Sequence, residues 1–110
     1  MNIIGGPASQ LLAGRVCVSS GYNLLISEFR KFPDGELYTR IIDDIGEKVT
    51  IIQSTVTDTD LVALLQLIDA CSEASKVNVV IPYLGYARQD KRFKIGEPIT
   101  PPATEPSIAC

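Results

Sequence analysis

The chain has 110 residues, 45% hydrophobic and 21% charged, with ten Lys and Arg against thirteen Asp and Glu for a net charge of −3. That length supports one domain, able to bury roughly 60–70% of the surface its unfolded chain exposes. The acidic balance excludes the general basic field of a nucleic-acid binder, and no apolar run approaches the roughly 20 residues that span a bilayer.

Histidine is absent. His-based acid/base catalysis and His metal ligation are therefore excluded within these residues. Three widely spaced cysteines, Cys17, Cys71 and Cys110, do not form a disulfide framework and fit a reducing compartment. The N-terminus lacks the basic region of a secretory signal, so a cytoplasmic location is expected.

In chain order, residues 2–4 read as a first strand that runs into Gly5-Gly6-Pro7. Ser9 is placed to cap a helix over 10–17, with Leu11, Leu12, Val16 and Val18 expected to face inward. Two glycines before a helix admit two readings, a tight strand-to-helix turn or a phosphate cradle of free N–H groups. No Lys-Ser/Thr pair follows to make a P-loop. Residues 22–29 read as one strand and residues 37–42 as another. Between them Phe32-Pro33-Asp34-Gly35-Glu36 is a hairpin tip, because proline presets φ and glycine accepts positive φ. A second polar turn over 43–48 pivots on Gly46.

Residues 49–53 form the next strand, and 59–75 carry the strongest helical periodicity. Leu61, Leu64, Leu65, Ile68 and Cys71 recur on one side, and Val62, Leu67, Ala70 and Ala74 widen it. Thr57 or Asp58 is the expected cap, with Asp58 and Asp60 opposing the positive end of the dipole. So broad an apolar face suits a sheet on one side and another subunit on the other. A buried strand over 77–81 follows and ends at Pro82. The order of elements predicts an α/β domain with a largely parallel sheet and a hairpin arm over residues 1–100. Four prolines at 98, 101, 102 and 106 predict an extended or disordered tail over 101–110, with the helix expected to cover one sheet face missing.

Two loops carry the chemistry. Residues 88–94 hold four of the ten cations with one amide and one carboxylate, at the end of a strand where open α/β sheets bind ligands. Arg88 offers a planar fork for phosphate oxygens or a face for a base, and Gln89 matches the paired donor and acceptor edge of adenine. Lys91, Arg92 and Lys94 are able to neutralise phosphates. A solvated charged loop with Asp90 locally paired explains the same residues. At the hairpin, Phe32 is suited to cover a base while Asp34 and Glu36 accept from its amine or from ribose hydroxyls. An ordinary turn with Phe32 tucked into the core is the competing reading.

Taken together, Gly-Gly-Pro-Ala-Ser-Gln-Leu-Leu-Ala at 5–13, Phe-Pro-Asp-Gly-Glu-Leu-Tyr at 32–38, Ile-Gln-Ser-Thr at 52–55, Pro-Tyr-Leu-Gly-Tyr-Ala-Arg-Gln-Asp-Lys-Arg-Phe at 82–93 and Gly-Glu-Pro-Ile at 96–99 resemble the N-terminal half of ribose-phosphate diphosphokinases (phosphoribosyl pyrophosphate synthetases). The resemblance implies a type I phosphoribosyltransferase-like domain. It implies transfer of diphosphate from ATP to ribose 5-phosphate with Mg²⁺, the metal bound mainly by parts absent from these residues. It assigns Arg88, Gln89 and Asp90 to ATP. It also assigns Phe32, Asp34, Gly35 and Glu36 to a hairpin that reaches the ATP of a neighbouring subunit in a homo-oligomer, a dimer or a hexamer.

After Thr100 the sequence departs from the family, and the family's Mg²⁺-binding histidine, flexible-loop lysine and ribose 5-phosphate loop have no counterpart here. A truncation, a junction or a shifted reading frame is expected, and a chain inactive by itself. The runner-up is a non-catalytic regulatory or assembly partner related to the enzyme.

Overall fold

The computed structural model describes residues 1–85 and the backbone of residues 107–109. Its first strand, β1 (Asn2–Gly5), leads into helix α1 (Gln10–Ser20) and a short strand β2 (Asn23–Leu24). The hairpin strands β3 (Ser27–Lys31) and β4 (Leu37–Ile41) come next, then β5 (Lys48–Ile52), helix α2 (Asp58–Ala70), β6 (Lys76–Val80) and β7 (Ser107–Ala109).

The main sheet has the order β2-β1-β5-β6-β7 with every pair parallel. Strands β3 and β4 make a separate antiparallel pair, with Arg30 opposite Tyr38. The chain moves outward from β1 to β2 in one direction and from β5 to β6 in the other. A switch point therefore opens between the carboxyl ends of β1 and β5. Right-handed crossovers then require the two helices to lie on opposite faces.

The burial pattern agrees with that requirement. Ile4, Val49, Ile51, Val79 and Ile81 form one core with Leu64, Leu67 and Cys71 of α2. Ile3 and Ile52, one residue out of step, pack with Ala13 and Cys17 of α1. Alternation along β1 and β5 thus supplies both cores from adjacent residues.

Helix α1 differs from the sequence expectation in which residues face inward. Leu11 and Leu12 are exposed and Val18 is 87% exposed, while Ala13 and Cys17 are buried; Val16 alone of the four expected residues packs against that core, half-buried. The reason is close approach. A Cβ on Gly5 would stand 2.7 Å from the Ala13 Cβ, so α1 lies near β1 and only small side chains fit between them. The helix runs on to Ser20 and closes at Gly21, whose N–H donates to the Cys17 carbonyl at 2.9 Å.

Helix α2 starts with a full capping box. The Thr57 hydroxyl accepts from the Asp60 N–H, and the Asp60 carboxylate accepts from the Thr57 N–H, each at 3.2 Å. It ends at Ala70 rather than at 75, because Ser72 and Ala74 N–H groups turn back onto the Asp69 and Cys71 carbonyls. That turn lets Lys76 enter the sheet beside Lys48. Leu64, Leu67 and Cys71 face the core as expected, whereas Leu65, expected inside, is 57% exposed and Val62 is also exposed. Burying a side chain such as Leu67 fully contributes about 1.5–3 kcal/mol.

The strand expected over 22–29 is two elements. The Leu25 N–H donates to Ile3 in the main sheet at 2.8 Å, whereas Ile26 bonds toward the hairpin through the Asp43 carboxylate (2.7 Å) and the Ile42 N–H (2.9 Å). The polypeptide leaves one sheet and enters the other between these neighbours. Residues 107–109, part of the tail expected to be extended or disordered, are extended and paired with β6. No helix among the described residues is long and apolar enough to cross a membrane.

Candidate functional site at the carboxyl edge of the sheet

Strand β5 is followed directly by Gln53-Ser54-Thr55, and all three side chains are buried, as is Ser9 just before α1. Buried polar groups are stable only when hydrogen-bonded, and each of these is. Gln53 Oε1 accepts from the Ala8 N–H at 3.1 Å, and its Nε2 donates to the Asp60 carbonyl at 3.2 Å. One amide thereby ties the β1–α1 loop to the first turn of α2, directly at the switch point. Ser9, expected as a side-chain cap, makes no capping bond. Its hydroxyl instead accepts from the Ser54 N–H at 3.0 Å.

The Ser54 hydroxyl in turn accepts from the Tyr83 N–H at 3.2 Å. Thr55 N–H donates to the Tyr83 carbonyl at 2.9 Å, and the Thr55 hydroxyl accepts from the Gly85 N–H at 2.8 Å. Residues just past β1, β5 and β6 are thus joined into one edge. In an open parallel sheet this edge is where ligands bind. Arg88, Gln89 and Asp90 follow Gly85 within five residues of sequence but lie outside the described residues.

The hairpin is built differently. Its base is docked on α2, where Thr39 Oγ1 donates to Gln66 Oε1 at 2.6 Å and Gln66 Nε2 donates to the Leu37 carbonyl at 3.0 Å. Phe29 and Ile41 pack against the core from the same side. The tip is held by its own turn. Phe32 N–H donates to Glu36 O and Gly35 N–H to Phe32 O, both at 2.8 Å, and Glu36 N–H donates to Asp34 Oδ1 at 3.0 Å. Gly35 has φ of +94°, a conformation that costs an L-residue about 1–2 kcal/mol.

Phe32, Asp34, Gly35 and Glu36 all lie together on this exposed tip. Phe32 is not tucked into the core. It is 44% exposed and meets Tyr38 edge-on, with centroids 5.7 Å apart. The Arg30 guanidinium lies 4.5 Å from the centre of the Tyr38 ring, so Tyr38 is held between a cation and an aromatic edge. The tip offers one open aromatic ring with carboxylates beside it.

Gln53, Ser54, Thr55 and Gln66 are the residues that the reading by residue type left without a role, and Ser9 was expected only as a helix cap. Their signal was a polar triplet directly after an apolar strand, and their partners lie far away in sequence. Burial pushes the Cys71 thiol up to about 11 and raises that of Cys17, so neither is poised as a nucleophile. Among the described residues no group of three or more His, Cys, Asp and Glu side chains could hold a metal ion.

Residues 1–104 match the N-terminal domain of ribose phosphate pyrophosphokinase. The chain belongs to that family. It is similar to the ribose-phosphate pyrophosphokinases of Methanosarcina acetivorans (67% identical over 101 residues) and Methanosarcina mazei (64% identical over 101 residues), covering 91% of this chain in each case. The matched region is 36% and 34% of those two proteins, so the chain spans about a third of their length. Its fold is similar to the crystal structure of phosphoribosylpyrophosphate synthetase from Mycobacterium smegmatis, with a TM-score of 0.75, 26% identity and coverage of 87% of this chain and 34% of that one. That likeness agrees with the α/β domain and parallel sheet expected from the sequence.

Proposed function

We propose that this chain supplies the ATP-binding part of a ribose-phosphate pyrophosphokinase, which transfers diphosphate from ATP to ribose 5-phosphate to make phosphoribosyl pyrophosphate. The observation that carries the reading is the polar carboxyl edge: Ser54 and Thr55 anchor the chain at Tyr83 and Gly85, and the cationic run begins three residues later at Arg88. Arg88 and Gln89 take the nucleotide's phosphates and base edge, with Asp90 in the same segment. Phe32, Asp34, Gly35 and Glu36 complete the site from a second copy, in a dimer or a hexamer. An exposed aromatic at a hairpin tip supports that division, since it lacks core contacts to satisfy it. The exposed Val62 and Leu65 beside the hairpin give a second copy an apolar surface to cover.

Mg²⁺ is held by other parts of the enzyme, and the cytoplasm is the working compartment. Phosphoryl transfer relies on metal and positioning groups acting together, so these 110 residues bind nucleotide and leave turnover to the rest of the enzyme. Titration with ATP tests the reading. Arg88→Ala is expected to weaken binding at least about tenfold, the value of a lost charge-assisted bond. Oligomers without any nucleotide affinity would favour a non-catalytic assembly role instead.

A further inference from the structure

Pro82 lies two residues past the end of β6 and has no N–H to give, so the backbone after it must find partners outside the strand ladder. It finds them on two residues of β5's continuation. Tyr83 N–H donates to Ser54 Oγ (3.2 Å), Tyr83 O accepts from Thr55 N–H (2.9 Å), and Gly85 N–H donates to Thr55 Oγ1 (2.8 Å). The Thr55 hydroxyl lies 3.5 Å from the Tyr83 carbonyl, to which it donates in turn. A Cβ at Gly85 would stand 2.0 Å from the Thr55 carbonyl oxygen, so the two backbones approach as closely as glycine alone permits. Thr55 itself is 2% exposed. Its hydroxyl accepts from one residue and donates to another, and burial keeps it from direct contact with a ligand in solvent.

We propose that Thr55 is a positioning residue for nucleotide binding. By clasping Tyr83 and Gly85 it sets the direction in which the chain leaves the sheet, three residues before Arg88. The inference rests on the nucleotide reading above. Its physical basis is preorganisation: fixing the backbone of a residue costs conformational entropy. A clasp formed during folding removes that cost from binding. Threonine is suited to the task because one side chain both accepts from Gly85 and donates to Tyr83, while its own N–H holds the same carbonyl.

The test uses the 110-residue chain, ATP titration, and amide hydrogen exchange at Gly85. Thr55→Val keeps the shape and deletes the hydroxyl. It is expected to weaken ATP binding about tenfold and to speed Gly85 exchange by a similar factor. Thr55→Ser restores both to within about twofold, which a purely packing role would not do, since serine lacks the methyl group. Gly85→Ala, which breaks the clasp from the other side, is expected to weaken ATP binding to the same degree as Thr55→Val. A Gly85 amide that exchanges freely in the wild-type chain would overturn the clasp without any variant having to fold. If Arg88→Ala loses affinity while Thr55→Val binds as the wild type does, the positioning role alone fails. If the wild-type chain binds no ATP, the nucleotide reading and the positioning role fall together.

Discussion

The carboxyl edge of the sheet and the tip of the hairpin carry comparable polar chemistry but are held by opposite means. At the edge, Gln53, Ser54 and Thr55 reach partners 45, 45 and 30 residues away in sequence for Ala8, Ser9 and Gly85, and all are buried. At the tip, every hydrogen bond described closes within Phe32 to Glu36, and all five residues are exposed. The edge therefore depends on the whole domain for its geometry. The tip depends on one turn and on its docked base, so it presents its ring without adding to the stability of the fold. Under the proposed function, a residue at the edge serves the site by fixing backbone, and a residue at the tip serves it by being open.

Substitutions should separate the two regions sharply. The largest loss is expected for Gln53→Leu, which leaves the Ala8 N–H and the Asp60 carbonyl without their partner. Both bonds are only partly buried, so with each worth about 0.5–1.5 kcal/mol, urea denaturation should show a loss of about 2 kcal/mol. A loss below about 1 kcal/mol would show that the edge is not the cooperative part of the molecule. Gly35→Ala comes next, at about 1 kcal/mol, from forcing a Cβ into positive φ. Its effect should be confined to the turn, with Phe32 and Glu36 amide exchange accelerated and Ile51 unchanged. Phe32→Ala is the smallest, within about 0.5 kcal/mol by thermal denaturation, because the ring is half open. A large destabilisation there would mean that the tip is structural after all and would remove the argument for its use in a site.

Much of this was legible in the chain. Pro33-Asp34-Gly35 fits only a turn between two strands, and the hairpin stands where that triplet placed it. The start of α2 was read at Thr57 or Asp58, and Thr57 caps it through bonds with Asp60 that span three residues. These are local effects, decided by φ preferences and by side chains that reach their own backbone. The strand over 22–29 was less legible, since Leu25 and Ile26 look alike as residues and differ only in which sheet each one bonds. The inward face of α1, Val16 apart, was misread for a related reason. Periodicity favours the large apolar residues, but the distance allowed by Gly5 selected Ala13 and Cys17.

The candidate site divides along the same line. Phe32, Asp34, Gly35 and Glu36 could be named from residue type because their arrangement is local. The importance of Ser9, Gln53, Ser54 and Thr55 could not, because a buried polar side chain gains its meaning from the partner it meets. By itself the sequence determined the alternation of helix and strand, the hairpin and the family. Only the tertiary structure decided which polar groups are sealed inside, since strand order brings the ends of β1, β5 and β6 together across up to 45 residues of chain. Local propensity acts over a few residues. Burial and hydrogen-bond satisfaction are settled by the packed sheet as a whole.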